Sequence, residues 1–417
     1  MPEFLKLTPI KQALEVLLSH VEVNIGSERV KTIDALGRVT AKPVISPIPL
    51  PQFPRSTMDG YAVRASDTFG ASEGLPAYLH VKGEIHMGTT PGFDIQAGEA
   101  GLIHTGGMLP NSCNAVVMLE HTQKVGEDTV EILRPVAVGE NTIKVGEDVQ
   151  EGEEVIQRGE RIHPPEMGGL AALGIVELEV VRKPVVGIIS TGDEVVPPDH
   201  DLLPGQVRDV NSYTLSSLME LSGASPKRYG IIPDQADKLL SISARALNEC
   251  DMVLIAAGSS ASARDITAQV INQLGSPGLL VHGVAIKPGK PTILAVCSHK
   301  VVIGLPGNPV SAFVVAGFFA VPVVESLLGL SNVAVYPRIP ARLSNNLPSE
   351  AGREDWVAGR LYSNQSGYVV DPIFSKSNLI FSLVRANCLI RVPLDANGLS
   401  ADTIVEVQLL SFSSLPK

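Results

Sequence analysis

The chain has 417 residues, 44% hydrophobic, 18% charged and 4% aromatic, with a formal net charge of −11. That length exceeds one ordinary core and calls for two to four domains of a soluble, folded protein. The acid excess disfavours nucleic acid and anionic membranes as partners, and the scarcity of aromatic rings argues against a base-stacking surface. An anionic ligand would have to be held by locally placed donors against the global field.

In chain order, residues 1–26 carry a helical apolar spacing at Leu14, Leu17, Leu18 and Val21, without the basic and small-residue flanks of a signal peptide. Residues 27–183 are short β-like runs between Gly and Pro turns, at 62–63, 101–104, 115–118 and 130–133, interrupted by one helix near 165–173. Pro43, Pro47, Pro49, Pro51 and Pro54 make an extended, stiff connection. From 184 strands and helices alternate. Apolar strands are expected at 184–189, 251–255, 280–286 and 300–305, and helices at 211–222, 235–248, 266–274 and 310–328. Continuous apolar strands of this kind predict a parallel α/β sheet covered on both faces, with ligands at the strands' carboxyl ends. Residues 332–417 return to β texture and predict a small barrel or sandwich. The 310–328 stretch is interrupted by Ser311, Gly317, Pro322 and Glu325, which reads as a core helix and not a membrane span. The cytoplasm is the expected location. Cys113, Cys250, Cys297 and Cys388 form no CxxC pair and are expected as inert thiols.

Several polar constellations sit where such a sheet would place a ligand. Ser190-Thr191-Gly192-Asp193-Glu194 closes the first strand, with hydroxyl and amide donors and two hard carboxylates. Asp209-Val210-Asn211-Ser212 is either a helix cap or a ligand-contacting helix start. Gly258-Ser259-Ser260, continuing to Arg264 and Asp265, could form an anion nest. Lys287-Pro288-Gly289-Lys290-Pro291 holds two lysines on a stiff segment suited to gripping a phosphate. Pro306-Gly307-Asn308-Pro309 opens a helix whose free N–H groups favour anions. Outside this region Ser56-Thr57-Met58-Asp59-Gly60-Tyr61-Ala62, Thr105-Gly106-Gly107 and Gly146-Glu147-Asp148 each read, taken singly, as ordinary turns. The elements of hydride transfer, zinc proteolysis and triad hydrolysis do not appear in the sequence.

Taken together and in this order, these motifs resemble the molybdopterin molybdenumtransferase family, which includes bacterial MoeA and the E domain of gephyrin. The likeness runs through essentially the whole chain and is most specific at Ile286-Lys287-Pro288-Gly289-Lys290-Pro291 and Leu305-Pro306-Gly307-Asn308-Pro309-Val310-Ser311. It implies a four-lobed homodimer: a helix at 1–26, a linking lobe from 27–45 and 147–183, a β-rich lobe at 46–146, an α/β molybdopterin-binding domain at 184–331 and a C-terminal β-barrel at 332–417. It implies insertion of molybdate into adenylylated molybdopterin with release of AMP, assisted by Mg²⁺. Glu194, Asp234 and Asp265 would hold the metal, joined as functional groups by Asp59, Asp148 and Lys287. Thr105, Pro306, Pro309 and Ser377 would complete a site shared between two subunits, and the molybdopterin adenylyltransferase is an implied partner.

The chain departs from the family pattern in three places. The loop usually written Ser-Gly-Gly-Val-Ser-x-Gly is Ala257-Gly258-Ser259-Ser260-Ala261-Ser262-Ala263, Gly283 beside His282 replaces a common cation, and Ile266 stands where an aromatic is common. These changes bear on molybdate versus tungstate and on catalysis versus mere pterin binding. Pterin adenylylation, the reaction of enzymes sharing the α/β lobe, is the other enzymatic reading.

Overall fold

The computed structural model describes residues 7–23, 25–257, 261–330, 338–365 and 367–410, with the side chains of 261–264 left aside. The first helix runs Ile10–Leu18, burying Ala13 and Leu17. It is shorter than the expected span, of which residues 1–6 and 24 lie outside the described ones. Ser19 Oγ donates to the Val16 carbonyl at 2.8 Å, a local side-chain bond that competes with another helical turn.

Two β-rich bodies follow. In one, Ser27–Lys31 pairs antiparallel with Glu177–Val181, and the helix Pro164–Ala172 packs beside them. The other is a six-stranded sheet ordered Ala115–Met118, Gly60–Val63, Glu99–Ile103, Ala77–Ile85, Thr129–Ile132, Thr122–Val125. Its alternating residues bury Tyr61, Val63, Leu79, Val117, Val130 and Ile132 on one face, and Ala62, Ile85, Ile103 and Val116 on the other.

The central sheet is ordered Ser225–Ile232, Val185–Thr191, Met252–Ala256, Lys300–Leu305, Ile293–Cys297, Pro277–His282. Four strands are parallel, as expected. The last two pairings are antiparallel, because Ile293–Cys297 runs opposite to the other five strands, which corrects the all-parallel expectation. The cause is a two-residue hairpin at Ser298-His299, with φ of 50° and 68°, which returns the chain directly. Neither residue is a usual turn signal there, so the strand Ile293–Cys297 escaped the sequence reading. The edge strand Ser225–Ile232 escaped it too, because Lys227 and Arg228 break its apolar run. Separate apolar clusters cover the two faces of the sheet.

The C-terminal region is a barrel. Glu354–Asn364 pairs with Gly367–Pro372 on one side and Cys388–Val392 on the other, and Arg338–Leu343 with Ile404–Leu409 completes the circuit of five strands. Among the described residues one helix, Pro309–Leu327, is apolar and long enough to cross a membrane, but 83% of its most apolar window is buried inside the protein. Its Phe318 packs on Trp356 of the barrel, ring centroids 4.7 Å apart, so this helix is the seam joining barrel and sheet in one core. The four cysteines are free and buried.

Candidate active site

The carboxyl ends of the parallel strands collect the polar motifs. Gly192 sits at φ +143°, and a Cβ there would meet Val195 and Glu194 within 2.9 Å, so only glycine fits this turn. Ser190 and Thr191 are buried at the strand end. Ser190 Oγ donates to Asp209 Oδ1 at 3.0 Å, and the same oxygen accepts the Ser212 amide at 3.1 Å. Asp209 and Ser212 are thereby engaged in starting the helix Asn211–Leu221, the structural one of their two readings. Asn211 Nδ2 donates to the Gly307 carbonyl at 2.8 Å, and Asn308 Nδ2 donates to Ser377 Oγ at 3.0 Å. The Val310 amide also donates to the Ser377 carbonyl at 3.1 Å, so the barrel is tied to the start of the seam helix.

This chain of contacts separates two cavities. The first, about 490 Å³, is lined by Ser190, Thr191, Glu194, Asp209, Asn211, Gly307, Asn308 and Pro309, with Arg208. Asp234 sits near it with Asp193 and Glu194. Partial burial pushes its carboxyl up, a hydrogen bond from Thr191 opposes this, and the charges of Asp193 and Glu194 push it further up. The second cavity, about 650 Å³, lies between sheet and barrel and also has Gly307 and Asn308 in its wall. Its cations are Lys287, Lys290, Arg353 and Lys376. Lys287 Nζ donates to Asp355 Oδ2 at 2.8 Å, and Ser349 Oγ donates to the same oxygen at 3.0 Å. Asp355 has only 5% of its side chain exposed, so its charge is compensated rather than solvated. Gly289, at φ +131°, lies so close to Val315 that any side chain would collide. Pro306 is buried in the second cavity's wall, while Lys290 is exposed at its edge.

Arg353, Lys376 and Asp355 were missed from sequence. Their β-region segments carry no helix or nest signal, and only the closed barrel turns them toward Lys287. The close spacing of the two lysines gives no hint of a third and fourth cation, Arg353 and Lys376, far along the chain.

The other expected residues lie elsewhere. Asp59 precedes the strand Gly60–Val63, and its Oδ1 accepts the Thr105 amide at 2.7 Å and the Thr105 hydroxyl at 3.1 Å. These bonds, the amide first, hold its carboxyl below the usual range. Asp148 is exposed, with its amide donating to the Leu50 carbonyl at 3.0 Å. Within one chain the contacts of Asp59 belong to its own lobe. Asp265 is exposed on the helix Ala261–Gln273 and lines neither cavity. Among the described residues no three His, Cys, Asp or Glu side chains form a metal-holding group, so Glu194, Asp234 and Asp265 do not converge as a set. Gly258, Ser259 and Ser260 lie outside the described residues, as does the Arg264 side chain.

Polar cavities at the carboxyl ends of a covered α/β sheet, sealed by a barrel and accompanied by a separate acid-bearing β lobe, define a multidomain protein of the molybdopterin-binding α/β class. Family models agree along the chain: MoeA N-terminal region (domain I and II) at residues 8–174, probable molybdopterin binding domain at 187–326, and MoeA C-terminal region (domain IV) at 340–410. The chain is 36% identical, over 97% of its length and 98% of the relative's, to a protein of Methanocaldococcus jannaschii named for molybdopterin biosynthesis. It is 32% identical, over 88% of its length and 85% of the relative's, to the molybdopterin molybdenumtransferase of a Nostoc species. A crystal structure of a molybdopterin biosynthesis MoeA protein from Pyrococcus horikosii matches with a TM-score of 0.81 at 36% identity, covering 97% of this chain and 99% of that one. The chain belongs to the molybdopterin molybdenumtransferase (MoeA) family.

Proposed function

We propose that this chain inserts molybdate into adenylylated molybdopterin, giving molybdenum cofactor, AMP and water. The observation that carries this reading is the pair of unlike cavities meeting at Gly307 and Asn308. The acid-lined cavity at the strand ends suits the polar pterin and its nucleotide. The cationic one, with Lys287, Lys290, Arg353 and Lys376, suits a tetrahedral oxyanion. An oxyanion there would compete with Asp355 for Lys287, so the lysine is held in place before the substrate arrives.

Glu194 and Asp234 fit a magnesium ion shared with the substrate's phosphates, because Mg²⁺ takes only one or two protein carboxylates in such sites. The repulsion that pushes Asp234 up is what a cation would relieve. When bound, the ion would offset charge developing on the phosphoanhydride. Asp265 is left as the weakest of the three expected ligands.

Asp59 would act on the site of a second copy. Met58, Met87 and Leu119, near Asp59 and Thr105, are exposed, and so are Phe374, Leu379, Phe381 and Val384 beside the cationic cavity. Two apolar rims around two half-sites support a homodimer in which they meet. Asp148 belongs to the same proposed contribution. Cytoplasmic residence goes with this reading, and the adenylyltransferase that makes the substrate is its proposed partner.

The test is AMP release from adenylylated molybdopterin with molybdate, with tungstate and with neither. Release is expected only with an oxyanion, and the ratio of the two rates sets the specificity. Pterin binding without AMP release would leave a scaffold, and adenylylation of free molybdopterin by ATP would make it an adenylyltransferase. For the shared site, Asp59→Asn and Lys287→Ala proteins, each inactive, are mixed after mild dissociation. About a quarter of wild-type activity should return, because half the dimers are mixed and each carries one intact site.

A further inference from the structure

A histidine between two acids lies beside Asp59 and has no part in the reaction as proposed. His104 Nδ1 lies 3.7 Å from Asp59 Oδ1, and its Nε2 lies 3.3 Å from Glu84 Oε1. The sheet makes this meeting. Glu99–Ile103 lies between Gly60–Val63 and Ala77–Ile85, with Ile103 opposite both Gly60 and Ile85. The next residue, His104, therefore comes opposite Asp59 across the antiparallel pair, while on the parallel side Glu84 is opposite Leu102, which shares a face with His104, so Glu84 lies diagonal to the ring.

A neutral imidazole has one N–H and one lone pair, so it can serve one carboxylate only by turning its lone pair on the other. An imidazolium can donate to both. The Thr105 amide, the Thr105 hydroxyl and His104 all converge on Asp59 Oδ1, leaving Oδ2 outside that grip. The ring is not there to fill a core, since 45% of the side chain is exposed. The other titratable groups nearby are His86, whose Nδ1 is 4.0 Å from Glu84, and Lys82, which is engaged by Glu99 at 3.1 Å.

Resting on the proposed role of Asp59, we infer that His104 is a positioning residue: clamped by Glu84, it fixes the Asp59 carboxylate in the orientation offered to the reaction. Loss of the ring frees Asp59 to rotate and lowers turnover.

The test compares His104→Phe and His104→Gln with the wild-type full-length protein, by AMP release and by ring ¹⁵N NMR without substrate. His104→Phe should lower kcat about five-fold with KM for the adenylylated pterin unchanged, the scale of one exposed ion pair. His104→Gln, which keeps a donor at this position, should recover most of that rate. At fixed pH, the His104 ring shifts should change in both Asp59→Asn and Glu84→Gln. An unchanged kcat in His104→Phe would overturn the inference, as would ring shifts indifferent to Asp59→Asn. Absence of AMP release from the wild type would instead defeat the proposed function and the catalytic half of this inference, while the ring spectra would still decide the pairing.

Discussion

The cationic cavity and the Asp59 turn solve opposite problems. At the cavity, charge is kept in a partly dry setting: Lys287 is paired with a nearly buried Asp355, and Gly289 and Pro306 press the backbone close. At the turn, Asp59 stands more than half exposed and is steadied by hydrogen bonds. The exposed turn is the half that the proposed homodimer would have to close with a second copy. Burial also sets what each mutation should cost, since a desolvated charge is far more sensitive to its partner than an exposed one.

Lys287→Ala is the severest test. It should lower oxyanion-dependent AMP release about 10²–10³-fold, by analogy with loss of one preorganised electrostatic donor, and should also lower the melting temperature by stranding Asp355. Adding Asp355→Asn should restore melting and not activity. Recovery of both would remove the lysine from the chemistry. Asp59→Asn should cost about 10²-fold in rate and leave melting unchanged, because the group is exposed. A large drop in melting temperature would mean the turn is structural after all.

Asp234 gives a pH test of intermediate size. Its carboxyl is held above the ordinary value, so it remains protonated to higher pH than a free aspartate, and the rate should rise as it ionises. Asp234→Asn should flatten that acid limb and lower the plateau about ten-fold. The smallest effect is expected at Glu249, away from both regions. Lys227, then Tyr229 and Arg245, pull its carboxyl down to about 2. A depressed folded pKa gives stability that is present above the unfolded value and lost as pH falls toward about 2. Glu249→Gln should melt about 1 °C lower at neutral pH, converge with wild type near pH 2, and release AMP normally.

Legibility from sequence followed the range of the interactions. Val185–Thr191, Met252–Ala256 and Lys300–Leu305 were readable because a strand buried on both faces is a continuous apolar run. Gly192 was readable because the turn demands its backbone freedom. The hairpin at Ser298-His299 was not, since its positive φ values fall on residues that rarely signal a turn. The three acids of the family pattern were nameable, but their failure to converge in one chain was not.

The sequence by itself determined the order of elements, the polar loops at the ends of the parallel strands and the motif series that marks the family, because these depend on neighbours a few residues apart. Only the tertiary structure decided that Lys287 would meet Asp355, that Asn308 would meet Ser377 and that Asn211 would hold the Gly307 turn, pairings that span 68, 69 and 96 residues. The first two are set by how the C-terminal region packs against the sheet and the seam helix, through Phe318 and Trp356, and the third by how the helices pack on the sheet; apolar packing carries no sequence mark of which distant polar groups it will bring together.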